Sequence, residues 1–227
     1  MAGSANDGVI DSRPIADQVH TIIRERILSG QLAGGAPVKD SVLATELGVS
    51  RAPVRQALDR LALSGLVIKL PNKPCRVVSI DRESLSELQL LRFADESAAI
   101  YFLVANHSDL SPLQDRLEAI DHASESGRWT QIAQADLAFH REVVALTGLP
   151  RLISRIDDIF DQVRTWLNST DPPELIVSTQ LQRHVELTEL LLEAQRTRDP
   201  RPAITAWEAH ILGDRREQLA SLRATAR

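Results

Sequence analysis

An aspartate and three histidines stand out in the second half of this 227-residue chain. Asp136 and His140 occur in ADLAFHREV, four residues apart, so on a helix both leave the same face. His184 and His210 fall in two later segments, each with helical apolar periodicity. A carboxylate and three imidazoles converging between helices make a site for a divalent transition metal, and zinc, nickel, manganese and iron all accept such donors. If the helices do not converge, the same histidines are ordinary hydrogen-bonded interior or surface groups.

A second constellation lies at SRAPVR, residues 50–55. Ser50 is a good N-cap, and Arg51 and Arg55, four apart, share one face of the helix that follows. Pro53 is then the third helical residue, where its missing N–H was unpaired in any case. Arginine forks suit guanine edges and phosphates, and the free N–H groups of a first helical turn favour an anion. Alone, the two arginines would be a solvated helix face; the elements around them argue for contact with DNA.

Those elements read as follows. Ile15, Val19, Ile22, Ile23, Ile27 and Leu28 mark a first helix that stops at Gly30. GQLAGGAPV is a glycine-rich turn, and a short helix follows from about Asp40 to Leu47, with Leu43, Ala44 and Leu47 inward. Gly48 suits the left-handed position after its end. The helix after Ser50 turns Val54, Leu58, Leu61 and Ala62 inward. LVIKL and CRVVSI, separated by Pro71-Asn72-Lys73-Pro74, read as a hairpin. Three helices and a hairpin are the layout of a winged helix-turn-helix, whose second motif helix enters the major groove. Lys73 and Arg76 on the hairpin are further candidates for phosphate contact.

From residue 81 the pattern is helical throughout, with helices expected near 84–106, 109–126, 128–147, 149–169, 174–197 and 201–223. Ser84 and Glu87 have capping-box spacing ahead of Leu85, Leu88, Leu91 and Ala94. Asp171-Pro172-Pro173 and Asp199-Pro200 punctuate the later helices. The expected fold is mainly α: residues 1–13 a disordered tail, 14–80 a winged helix-turn-helix, and 81–227 an antiparallel bundle of about six helices.

Composition fits that division. The chain carries −5 overall, but residues 1–80 hold ten Lys/Arg against seven Asp/Glu, giving +3, and the remainder holds sixteen against twenty-four, giving −8. Only the first part is suited to a polyanion. Residues 1–80 contain no Phe, Tyr or Trp, which disfavours a single-stranded partner read by stacking. The lone Cys75, the lack of a secretory signal and the lack of a bilayer-length apolar run lead us to expect a cytoplasmic protein with no membrane partner.

GVSRAPVRQALDRLALSGLV closely resembles the winged-helix signature of the GntR family of bacterial transcription regulators. The resemblance implies double-stranded operator DNA as partner and carries DNA contact onto Ser50, Arg51, Pro53, Val54 and Arg55. Two departures stand out: Lys39-Asp40-Ser41 replaces the family's common Ser-Glu-Arg, and Pro74 stands where a glycine is usual. The segment around ADLAFHREVVALTGLPRL resembles the ligand-binding domain of the FadR-like branch, as does DPRPAITAWEAHI. That branch implies a metal on Asp136, His140, His184 and His210, a small carboxylate effector beside it, and a homodimer. Arg92, in LLRFADE, matches an arginine that meets the effector's carboxylate. Counted back from Asp199-Pro200, the family's spacing falls on Thr188, about one helical turn after His184. Either the chain is a turn longer there, or the site has two histidines.

Two other readings share these residues. A metal-dependent hydrolase with a DNA-binding appendage lacks a His-Glu-x-x-His run and has Glu142 as its nearby carboxylate, so an enzyme is not expected. A DNA-binding protein whose bundle only dimerises would use the histidines for packing.

Overall fold

The computed structural model describes residues 13–71, 73–167 and 180–213. The expected tail (save Arg13), Asn72 at the hairpin tip, the start of the helix expected over 174–197, Asp171-Pro172-Pro173 and the end of the helix expected over 201–223 lie outside these residues.

The first half packs α1 (Ile15–Leu28), α2 (Asp40–Leu47) and α3 (Arg51–Leu63) around one core. Val19, Ile23, Ile27 and Leu28 of α1 are buried, whereas Ile15 and Ile22 are exposed: the helix spends only one stripe on the core. Gly48 closes α2 in the left-handed region at φ +66°, which a side chain would oppose. Ser50 precedes α3 with extended backbone, and Pro53 is the third residue of that helix. The Ser50 hydroxyl makes no capping bond, so it starts the helix by its backbone alone.

The hairpin strands are β2 (Val67–Ile68) and β3 (Cys75–Val77), antiparallel with Val67 opposite Val77. A third strand, β1 (Pro37–Val38), pairs with the other edge of β3, with Val38 opposite Cys75. The sequence reads this stretch as part of a glycine-rich turn; two residues are too few for alternation to register.

The second half is a bundle of α4 (Arg82–Asn106), α5 (Pro112–Glu125), α6 (Trp129–Ala145), α7 (Pro150–Leu167), α8 (Gln180–Thr197) and α9 (Arg201–Leu212). Its first cap is Asp81 rather than the expected Ser84–Glu87 box: the Ser84 amide donates to Asp81 Oδ1 at 2.8 Å, so α4 begins two residues earlier. Two apolar clusters fill the bundle. One joins α4, α5, α6, α8 and α9 through Ile100, Leu113, Phe139, Leu191 and Trp207. The other joins α4, α6 and α7 through Leu88, Leu137, Val144 and Phe160.

In the middle of α4 the stripe changes character. Leu91 and Ala94 face outward, and Arg92, Asp95 and Glu96 are buried instead. Buried charge needs partners. Those partners are the candidate site.

Candidate metal centre and DNA-binding face

Asp136 and His140 project from α6 into the space between α4, α8 and α9, where His184 and His210 meet them. One donor atom from each of the four lies within 4.8 Å of the others. His140 Nε2 is 3.1 Å from His210 Nε2, His184 Nε2 is 3.2 Å from Asp136 Oδ1, and His210 Nε2 is 3.9 Å from Asp136 Oδ1. His140 and His184 are fully buried, and Phe139 walls both with edge-on contacts. Thr188 is outside the cluster: its hydroxyl donates to the His184 carbonyl. The extra turn therefore places His184, not Thr188, among the donors.

The outer ring nitrogens decide what the inner ones offer. His184 Nδ1 lies 2.7 Å from the Gln180 carbonyl, which only accepts, so Nδ1 carries the proton. His140 Nδ1 likewise faces Glu96 Oε2 at 2.5 Å. Both Nε2 atoms then present lone pairs inward, and His184 Nε2 has no hydrogen-bond partner despite its approach to Asp136. At His184 and Asp136 an acceptor thus faces an acceptor, while His140 Nε2 can accept from His210 when that ring carries its proton on Nε2. For the first pair, either His184 takes a second proton in a dry core or a cation is shared. Burial lowers the His140 affinity for that proton, reinforced by the field of Arg92, and burial with the nearby His140 lowers His210 well below its ordinary value. Burial also works against charge on Asp136, but the His184 contact and the fields of His140, His184 and Arg92 outweigh it and hold the carboxyl below its usual range. Neutral imidazoles around an ionised carboxylate are the donor set of a divalent transition metal, whose bonds of about 2.0–2.2 Å suit these separations.

Glu96 and Trp207 belong to the site, and sequence reasoning misses both. Glu96 is fully buried; its Oε2 accepts from the Trp207 indole at 2.7 Å as well as from His140, and its Oε1 accepts from Arg92 Nε at 2.7 Å. The available signal is LLRFADE itself, where Glu96 is four residues from Arg92 on the same face. Arg92 is also buried, stacks over the Phe160 ring at 5.3 Å, and brings Nη2 within 3.8 Å of Asp136 Oδ2. That Nη2 has no hydrogen-bond partner. Glu142 turns away from the cluster to accept from Arg116 at 2.8 and 3.0 Å.

At the other end, Ser50, Arg51 and Arg55 are exposed at the start of α3, Pro53 is half-buried, and Val54 is in the core. Val54 therefore anchors the helix rather than facing outward. Asp40 holds both arginines, accepting from Arg51 at 2.8 Å and from Arg55 at 2.9 Å. Their side chains keep 56% and 63% exposure, so the pairing organises the guanidinium groups without hiding them. A groove of about 570 Å³ runs from here to the hairpin, lined by Lys39, Asp40, Arg51, Arg55, Lys69 and Lys73. Arg76 is tethered, donating to the Gly35 carbonyl at 2.8 Å.

A winged helix-turn-helix with a basic groove, joined to a helical bundle with a closed polar site, defines a regulator that reads DNA with one half and a ligand with the other. Residues 15–77 match the model of the gntR family of bacterial regulatory proteins, and residues 88–213, more than half of the chain, match the FCD domain. The chain belongs to the GntR family, in the branch with an FCD-type ligand-binding domain, and is a DNA-binding, effector-regulated transcription regulator. It is 29% identical to the HTH-type transcriptional regulator McbR of Escherichia coli K12 over 184 residues, 80% of this chain and 82% of that protein. It is 34% identical over 131 residues to a probable D-xylose utilization operon transcriptional repressor of Paenarthrobacter nicotinovorans, 57% of this chain and 58% of that one. The fold matches that of E. coli McbR with a TM-score of 0.67 at 25% identity, covering 95% of this chain and 100% of that one. It also matches a GntR regulator from Rhodococcus sp. RHA1, with a TM-score of 0.73 at 23% identity, covering 90% and 97%. No described helix is long and apolar enough to cross a membrane.

Proposed function

We propose that this chain is a cytoplasmic homodimeric regulator whose hold on its operator is set by a small carboxylate bound beside a divalent metal in the bundle. Residues 14–80 would read the DNA, with Arg51 and Arg55 leading and Lys73 in support, and residues 81–227 would bind the effector and the second subunit. Asp136, His140, His184 and His210 would hold zinc, nickel, manganese or iron. The bound metal supplies a positive charge and an open position for an oxygen ligand. The observation that carries the reading is the His184 lone pair facing the Asp136 carboxylate, with His140 and His210 converging on the same point and the unpartnered Arg92 Nη2 beside them. That guanidinium has its Nε tied to Glu96 and a free donor at the cluster, the arrangement a carboxylate needs.

Elemental analysis of protein purified without chelators, followed by anisotropy titrations on promoter fragments with and without a panel of carboxylic acids, tests this. One metal per chain and a carboxylate-dependent change in operator affinity are expected. Protein lacking stoichiometric metal and indifferent to every acid would leave the bundle a dimerisation element only.

A further inference from the structure

We propose that Glu96 is a positioning residue that sets the metal-ready tautomer of His140 and, through the same carboxylate, aims the anion-binding end of Arg92. The inference rests on the metal-binding reading above. Glu96 sits on α4 and takes one hydrogen bond from each of three helices: Arg92 on its own helix, His140 on α6 and Trp207 on α9. All three partners are donors, and a buried carboxylate is the one side chain of this size that only accepts. The indole N–H cannot change role, and neither can the guanidinium. His140 alone has a choice, and the carboxylate makes it by demanding the proton on Nδ1. Nε2 is then left as a lone pair towards His210 and Asp136.

The other oxygen does a second task. By holding Arg92 Nε at 2.7 Å, it fixes the guanidinium so that Nη2, rather than Nε, stands 3.8 Å from Asp136 Oδ2 with its donor unspent. One anchor thus serves both the metal ligand and the anion receptor. Trp207 stiffens the anchor: it is fully buried and stacks with Phe139, so the carboxylate cannot swing between partners.

Glu96→Gln keeps the volume but replaces one acceptor oxygen by an NH2. Three donors then compete for a single carbonyl. An NH2 at the Oε2 position meets both His140 and Trp207, and His140 alone can respond, by turning to the Nε2–H tautomer and withdrawing its lone pair from the cluster. An NH2 at the Oε1 position repels Arg92 and spoils its aim.

The test compares native protein with Glu96→Gln in two readouts: Co(II) affinity by chelator competition, followed through its visible absorption, and the His140 tautomer from ring 15N shifts of the metal-free proteins. Expected are Nδ1–H in the native protein, a population of Nε2–H in the variant that the native protein lacks, and Co(II) affinity lower by about 10–100-fold. Trp207→Phe, which removes a donor but leaves the carboxylate, should keep Nδ1–H and lose affinity by less than Glu96→Gln does. Native-like Co(II) affinity in Glu96→Gln overturns the proposal. If that variant does not fold, the native tautomer still decides, since Nε2–H in the native metal-free protein is incompatible with the role assigned to Glu96. Native protein that binds no metal would remove the function proposed above, while the tautomer would still decide whether Glu96 orients His140.

Discussion

Arg24 of α1 and Asp161 of α7 form a two-point ion pair between the winged helix and the bundle, with Nε 2.6 Å from Oδ2 and Nη2 2.5 Å from Oδ1. Beside it the Gln162 amide donates to the Ser64 carbonyl at 3.2 Å. Gly65, at φ +75°, suits a backbone conformation that a side chain would strain, and a Cβ there, 2.7 Å from Gln162 Nε2, would push the Gln162 amide aside. Asp161 follows Phe160, whose ring carries Arg92, so α7 touches the candidate effector site and the DNA-binding half within two consecutive residues. The helix is thus placed to couple the two, which Asp161→Asn tests.

Asp161→Asn should uncouple the halves without unfolding either. Arg24 keeps about a third of its side chain in water and can solvate its charge, so global stability should change by less than about 1 kcal/mol. Hydrogen exchange in α1 should quicken, and the effector's influence on operator affinity should fall by about fivefold or more. Burial raises the Asp161 carboxyl above its ordinary range, with Asp157 and Asp158 adding to the rise against the pull of Arg24. Its folded value exceeds the unfolded one, so its charge opposes folding at neutral pH and that cost fades on acidification. Mild acid should therefore loosen the contact before ordinary carboxylates protonate.

On the DNA-binding face, Arg55→Ala should lower operator affinity by about 1–3 kcal/mol and flatten its salt dependence if a phosphate contact goes with it. Asp40→Asn should act oppositely, since it removes a negative charge and releases both arginines: binding tightens and discrimination between sequences falls. Titrations at several salt concentrations check both. An Arg55→Ala protein with unchanged affinity and unchanged salt slope would place the interface elsewhere.

His184→Ala should abolish stoichiometric metal, and Thr188→Ala should not. Added metal at about a hundred times its Kd should stabilise the native protein by roughly 2.7 kcal/mol. Thr188→Ala should keep that gain and His184→Ala should lose it, both measured by thermal unfolding with and without metal.

The metal-free protein should lose stability as pH falls below about 6.5. Burial lowers His140 and His210, so the folded state refuses protons that the unfolded chain accepts. The stability present above the unfolded value is lost as pH drops towards the folded ones. Metal binding should steepen this loss, because protons and metal compete for the same lone pairs. Melting temperatures from pH 8 to 5, with and without metal, measure it.

The sequence alone determined what is local. Helical periodicity, Gly48 with Ser50 and Pro53, and the four-residue step from Asp136 to His140 depend on neighbours within a turn or two. It could not fix the axial position of α8. Counting from Asp199-Pro200 points to Thr188, but Leu187, Leu191 and Ala194 seat that helix in the core and bring its first turn, with His184, to the cluster. Nor could it show that α4 turns Glu96 inward and Leu91 outward, because a charged residue is buried only where other helices bring it donors. Those donors, and the Arg24–Asp161 pair, lie 44 to 137 positions away along the chain, a separation that only packing closes.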